Sequence, residues 1–103
     1  MTSNEICPKF EKAISILSKR WVGLIVYQLF DGAKRFGNLQ EGITLSSKVL
    51  SERLKYLEKE GIIIREVYPE TPVRIEYHLS DKGRNLKNSF EAIHVWADEW
   101  IKP

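Results

Sequence analysis

The sequence predicts a helix-rich α+β domain that contains one β-hairpin. Apolar residues recur with helical spacing along most of the chain, and they change to a strand pattern only between residues 62 and 79. The breaker Pro69-Glu70-Thr71-Pro72 divides that stretch in two, as the tip of a hairpin does. The chain has 103 residues, which suffices for one hydrophobic core but not for two. We therefore treat residues 1–103 as a single domain.

The first two predicted helices carry different apolar patterns. The amphipathic face of the first has residues at i, i+3, i+4 and i+7, namely Phe10, Ala13, Ile14 and Leu17. Pro8 fits its first turn, because proline loses no needed N–H bond there. After a polar break at residues 18–20, residues 21–30 form a second helix that is apolar on most sides and is expected to be buried. Asp31-Gly32 ends this helix.

A short helix, a tight turn and a longer helix follow. The short helix covers residues 36–42, and residues 43–46 form the turn. Ser46 is the predicted N-cap of the longer helix, which covers residues 47–60. One face of that helix carries three leucines, Leu50, Leu54 and Leu57. Gly61 stands where a C-terminal cap is expected.

The remaining residues are predicted to form the hairpin and a long final helix. Residues 62–68 are rich in β-branched side chains, and residues 73–79 alternate apolar with polar side chains. The alternation indicates a half-buried strand that pairs with the first. Ser80 is the predicted N-cap of a final helix that runs to about Ile101.

This order of elements is that of the winged helix-turn-helix, in which the helix after the turn enters the DNA major groove. The net charge is only +2, but residues 19–59 carry +4 and residues 88–103 carry −2. Hydroxyl and basic side chains near the start of the reading helix suit phosphates and base edges. The predicted contacts with double-stranded DNA are Ser46, Ser47, Lys48, Ser51, Arg53, Lys55, Arg35, Arg65 and Arg74.

Two plainer interpretations of these residues stay open. Lysine and arginine also solvate ordinary surface helices, so the charge by itself does not identify a DNA-binding face. A winged domain can in addition bind another protein through the same helix, without any operator. A titration of DNA binding against salt separates these interpretations from operator binding.

Nearly the whole chain resembles the HxlR-type transcription regulators. The residues that carry the resemblance are SKVLSERLKYLEKEGII at 47–63, YPETPVRIEYHLSDKG at 68–83, Cys7-Pro8 and Lys19-Arg20-Trp21. The resemblance implies a bacterial homodimeric winged-helix regulator, often a repressor. It is closest to the branch whose members sense quinones, diamide or other electrophiles through an N-terminal cysteine.

Cys7, the one cysteine, is the predicted sensor. It stands at the start of the first helix, where unpaired N–H groups, Lys9 and Lys12 favour a thiolate. A thiolate adds to quinones, forms disulfides and is oxidised to a sulfenic acid. With no second cysteine, the switch is an adduct, a mixed disulfide or a Cys7–Cys7 bridge between subunits. The plain alternative is an inert, buried thiol.

The last helix is the predicted dimer interface. A monomer of this size can hardly cover its apolar stripe, and a two-fold dimer reads an inverted-repeat operator. The predicted interface residues on this helix and on the first are Phe90, Ile93, Trp96, Ala97, Trp100 and Phe10. We expect modification of Cys7 to rotate the subunits and misplace the reading helices. Packing of the stripe within one chain is the alternative.

Other chemistry is not expected. His78 and His94 form no metal-binding spacing with Cys7, no glycine-rich phosphate loop exists, and no enzyme or cofactor is predicted. The absence of an apolar leader and the single cysteine favour the cytoplasm. An aromatic pocket for a quinone, lined by Trp21, Tyr27 and Tyr56, is less favoured than ordinary core packing of these rings.

Overall fold

Six helices and one antiparallel hairpin make up residues 7–103, the part of the chain that the computed structural model describes. In chain order the elements are α1 (Pro8–Leu17), α2 (Val22–Leu29), α3 (Phe36–Ile43), α4 (Ser47–Lys59), β1 (Ile63–Tyr68), β2 (Arg74–Leu79), α5 (Asp81–Arg84) and α6 (Lys87–Trp100). This order confirms the winged helix-turn-helix predicted above. Within this part of the chain, none of the helices is both long and apolar enough to span a bilayer.

The core lies between α2, α3, α4 and the hairpin. The side chains that are almost completely shielded from solvent are Val22, Ile25, Val26, Leu39, Leu50, Leu54 and Leu57. Tyr77 and Leu79 close the core from the side of β2. Because the three leucines of α4 all point into this core, the opposite side of α4 is turned to solvent.

The hairpin is anchored to the helical core by backbone hydrogen bonds. Its strands pair from Ile63 opposite Leu79 to Tyr68 opposite Arg74. Lys34, in the segment before α3, exchanges two further bonds with Tyr77, at 2.9 Å and 2.8 Å. The hairpin therefore extends from the domain as a wing with a fixed base.

The prediction of one long final helix is wrong, because the chain forms the short α5 and then α6. Ser80 is an N-cap as predicted, but the helix that it caps ends after one turn. Arg84 donates to the carbonyl of Leu79 (2.7 Å) and Asn85 donates to the carbonyl of Asp81 (2.8 Å). These side chains thus bond the carbonyls of the last residue of β2 and the first residue of α5, which ties α5 to the base of the wing.

Helix α2 is less completely buried than its sequence predicts, and the apolar face of α1 is largely uncovered within the chain. In α1 only Ile16 is buried, and Phe10 and Ile14 on its apolar face are exposed. In α2, Leu24 and Tyr27 are also exposed. Both helices thus leave large apolar side chains uncovered within the chain.

Gly83 in α5 offers a test of how tightly this helix packs against the start of the wing. A Cβ atom on Gly83 would lie 2.4 Å from the backbone oxygen of Ile62, whereas one on Gly37 in α3 would meet nothing within 4 Å. We expect Gly83→Ala to lower the free energy of unfolding by roughly 1–3 kcal/mol. Gly37→Ala is the matched control, and it should raise that free energy by about 0.5–1 kcal/mol. Urea unfolding of both variants checks the prediction, and equal stability of the two would contradict it.

Candidate nucleic-acid interface and thiol site

The turn before α4 is fixed by hydrogen bonds that also position the start of the helix. Ser46 caps α4 as predicted, because its hydroxyl accepts the backbone N–H of Val49 at 3.2 Å. Gln40 of α3 donates to the hydroxyl of Ser47 (2.9 Å) and to the carbonyl of Leu45 (3.0 Å). Thr44 between the helices takes a left-handed conformation, with φ 62°. The sequence analysis missed the role of Gln40, since no local pattern predicts a side-chain bond across a turn.

The exposed side of α4 carries the hydroxyl and basic groups that the sequence predicts. Ser46, Ser47, Lys48 and Lys55 are exposed, and Ser51 is half-buried. Exposed hydroxyls and ammonium groups at the first turn of a helix suit phosphate oxygens, because the helix dipole adds to their positive charge. The geometry of α4 is therefore that of a helix able to enter a DNA groove.

Arg53 is placed differently from the lysines of α4. Its Nε–H donates to the backbone carbonyl of Arg20 at 2.9 Å, and its side chain is only 22% exposed. Two other basic residues of the same region lie on aromatic rings: Lys19 lies over Tyr56 and Arg20 over Trp21. The α1–α2 turn thus adds positive charge beside α4.

The basic residues around the wing differ in how far they are free to bind a partner. Arg35, at the N-cap of α3, and Arg65 on β1 are exposed. Arg74 on β2 donates to Glu70 at 2.8 and 3.0 Å and to Glu76 at 2.5 Å. The hydrogen bonds that Arg74 donates to Glu70 and Glu76 raise the pKa of Arg74 above its ordinary value, and the bond accepted from Arg74 lowers the pKa of Glu70. Arg74 is therefore already paired within the wing.

Cys7 lies at the N-cap of α1, as the sequence predicts. Its thiol is free and half-buried, and its backbone carbonyl accepts the N–H of Glu11 at 2.9 Å. Lys9 on the first turn is exposed, and the ammonium group of Lys12 lies 3.6 Å from the carboxylate of Glu60. The thiol is thus accessible to a small reagent at the positive end of a helix.

Helix α6 buries none of its residues against the rest of its chain. Among the predicted interface residues, Ile93, Trp96 and Trp100 are 61%, 57% and 64% exposed, and Phe90 and Ala97 are half-buried. Phe10 of α1 is 59% exposed. So many exposed apolar side chains on a domain of this size mark an interaction surface.

An apolar groove of about 450 Å³ separates α6 from α2. Trp21 and Tyr27 line this groove, together with Phe90, Ile93 and Ala97. The ring of Tyr27 stacks on that of His94, with 6.0 Å between the centroids. Tyr56, which the sequence analysis grouped with Trp21 and Tyr27, lies instead beneath Lys19. In residues 7–103 no three His, Cys, Asp or Glu side chains are grouped as a metal site.

The comparison with protein families agrees with this geometry. Residues 16–103, which include α2, the helix-turn-helix, the wing and α6, match the family described as HxlR-like helix-turn-helix. The chain belongs to the HxlR family. It is therefore a DNA-binding transcriptional regulator, and relatives in this family are named as regulators rather than as enzymes.

Two relatives from Bacillus subtilis (strain 168) match this HxlR-family chain over most of its length. It is 57% identical over 104 residues to the uncharacterized HTH-type transcriptional regulator YvaP, a match that covers 100% of this chain and 96% of YvaP. It is 48% identical over 101 residues to the HTH-type transcriptional regulator YodB, covering 97% of this chain and 90% of YodB.

Solved structures of YodB are also similar to this chain. The reduced form of YodB has a TM-score of 0.85 at 48% identity, covering 96% of this chain and 98% of that structure. The quinone-bound form has a TM-score of 0.80 at 44% identity, covering 92% and 100% respectively. The fold, including the winged helix-turn-helix, is thus shared with a regulator that binds a quinone.

Proposed function

We propose that this regulator is a homodimeric repressor that leaves its operator when Cys7 is modified. The modifying reagent is a quinone, another electrophile or an oxidant. The observation that carries the proposal is the free, half-buried thiol at the start of α1, a helix whose apolar residues Phe10 and Ile14 remain uncovered. The proposal places the protein in the cytoplasm, where bacterial DNA lies.

Operator binding is assigned to α4 and the wing. Exposed polar groups on α4 are those of Ser47, Lys48 and Lys55. Ser46 caps the helix, and the half-buried Ser51 lies between the two lysines in the chain. Arg35 and Arg65 lie exposed on the neighbouring elements and are assigned to adjacent phosphates. Arg74 is assigned to adjacent DNA as well, where a phosphate would replace one of its two carboxylate partners.

A second copy of the chain is assigned to the apolar surface of α1 and α6. It would cover Phe10, Ile93, Trp96 and Trp100, which no part of the same chain covers. Two α4 helices related by a two-fold axis read an inverted repeat with half-sites about one helical turn apart. Because α1 carries both Cys7 and Phe10, a group added to the thiol lies close to this interface in sequence.

Three forms of the modified thiol remain consistent with one cysteine per chain. A quinone adduct forms when the thiolate sulfur bonds to a ring carbon and the ring takes up the proton, which leaves a hydroquinone thioether. A mixed disulfide needs an oxidant and a small thiol, and a Cys7–Cys7 bridge needs the two Cα atoms within about 7 Å. The similarity to quinone-bound YodB supports the adduct.

Salt dependence of DNA binding tests the operator assignment. Duplexes selected by the wild-type protein from random sequence serve as the probe. Wild-type binding should weaken steeply with salt, and Lys48→Gln should reduce the slope of log K against log salt by about 0.9 for each phosphate that the variant no longer neutralises. Lys87→Gln is the control, because Lys87 is an exposed lysine at the start of α6 and its replacement removes the same charge. A flat response to salt, or failure to select any duplex, would instead indicate a protein-binding module.

A further inference from the structure

Arg53 connects α4 to the turn between α1 and α2. Its Nε–H donates to the backbone carbonyl of Arg20, 33 residues earlier in the chain, at 2.9 Å. The nearest carboxylate, that of Glu52, is 3.9 Å from the guanidinium, so the carbonyl is the closer partner. A guanidinium bonded to a backbone carbonyl and reduced to 22% exposure is held in place within its own chain.

The turn that Arg53 holds has an unusual backbone conformation. Trp21, which directly follows the bonded carbonyl, has φ 75° and ψ −17°, in the left-handed region that large side chains rarely adopt. Such a conformation persists only where the surrounding contacts determine it. Those contacts include the bond from Arg53 and the packing of the Arg20 guanidinium 4.6 Å from the Trp21 ring centre.

The same turn also faces the groove between α2 and α6. Residues 18–21 line that groove opposite Phe90, Ile93 and Ala97. One side of the turn therefore lines the groove that Ile93 of the proposed subunit surface also lines, and the other side is bonded to α4. The bond from Arg53 is a direct connection between the two.

We propose that Arg53 is a positioning residue that sets the placement of α4 through the α1–α2 turn, and that it does not contact DNA. The inference rests on the proposed function, because it concerns how α4 meets an operator. Any movement of the turn at the subunit surface then changes the placement of α4. Arg53 thereby gives the regulator a route from its dimer surface to its DNA-reading helix.

Two variants at position 53 distinguish positioning from a phosphate contact. Arg53→Lys keeps the positive charge but places the apolar Cε where Nε donates, whereas Arg53→Gln removes the charge as well. If Arg53 positions α4, both variants should weaken binding by about tenfold, as expected when only about a tenth of the molecules hold α4 in the placement that binds DNA. The salt slope should then match the wild-type slope. Lys48→Gln is the matched control on the same helix, and it should reduce the slope.

Two results would overturn the inference. In the first, Arg53→Lys binds DNA as tightly as wild type, whereas Arg53→Gln binds more weakly and with a smaller slope of log K against log salt. A residue that contacts a phosphate behaves in this way. The other is wild-type affinity in both variants. Wild-type protein that binds no duplex would instead overturn the proposed function itself.

An NMR measurement separates positioning from a general loss of stability. In the free wild-type protein the Nε–H signal of Arg53 should exchange slowly with water, and it should keep its chemical shift when DNA is added. The backbone amide of Trp21, next to the bonded carbonyl, should shift in Arg53→Lys while signals of the core strand residue Leu79 stay in place. A large shift of the Arg53 signal on DNA binding, or an unmoved Trp21 amide, would contradict the proposal.

Discussion

Cys7→Ser is expected to remain on DNA at quinone concentrations that release the wild-type protein. Serine keeps the size of the side chain but has no thiolate to add to the quinone ring. Wild-type protein treated with benzoquinone should gain one adduct per chain, because the chain has one cysteine. Its DNA affinity should then fall by at least about tenfold, or 1.4 kcal/mol. Intact-mass spectrometry and a gel shift on the same samples measure both quantities.

The same experiment identifies the form of the modified thiol. After treatment with diamide, a band of twice the chain mass on a non-reducing gel indicates a Cys7–Cys7 bridge. After treatment with diamide and glutathione together, a single chain that has gained the mass of one glutathione indicates a mixed disulfide. Lys87→Gln serves as a control that removes one exposed positive charge on α6 but keeps the sulfur. If Cys7→Ser and wild type leave DNA at the same quinone concentration, Cys7 is inert and the sensing proposal is wrong.

Features that depend on a few neighbouring residues were predicted correctly from the sequence. Ser46 and Ser80 cap helices as predicted, and Gly61 takes a left-handed conformation just after α4, with φ 75°. The leucines of α4 are buried, because their spacing places them on one face whatever the helix packs against. The wing followed from strand alternation and the proline-bounded tip. Local chemistry determines each of these features.

Features that depend on particular side-chain hydrogen bonds were not predicted. The break between α5 and α6 follows from side chains at 84 and 85 that bond backbone carbonyls, and no periodicity reveals it. Likewise, the charge of Arg53 indicated a DNA contact, but its bond to Arg20 spans 33 positions. The charge of Arg74 indicated a DNA contact as well, which stays a prediction, but it did not reveal the bonds to Glu70 and Glu76. The sequence indicates which residue types could contact DNA. Whether each side chain is free to do so depends on the bonds that it makes within the folded chain.

Ile93→Asp is expected to convert the protein to a monomer with greatly weakened operator binding. Ile93 is 61% exposed within its chain and lies between Phe90 and Trp96 on the apolar side of α6. A second subunit that covers this side would have to bury an unpaired carboxylate, which is strongly unfavourable. Losing the second reading helix should lower the apparent DNA affinity by roughly 10²–10⁴. Sedimentation velocity gives the oligomeric state, and a gel shift gives the affinity.

Val95→Asp is the matched control for this prediction. Val95 is as exposed as Ile93, at 65%, but it lies two residues further along α6, about 200° around the helix axis. If the apolar stripe is the dimer interface, Val95→Asp stays dimeric and keeps its affinity for DNA. Both variants should unfold at temperatures close to wild type when monomer stability is compared, because neither side chain is buried within its own chain. If both variants dissociate equally, the interface lies elsewhere on α6. If Ile93→Asp stays dimeric, the apolar stripe is not part of the interface.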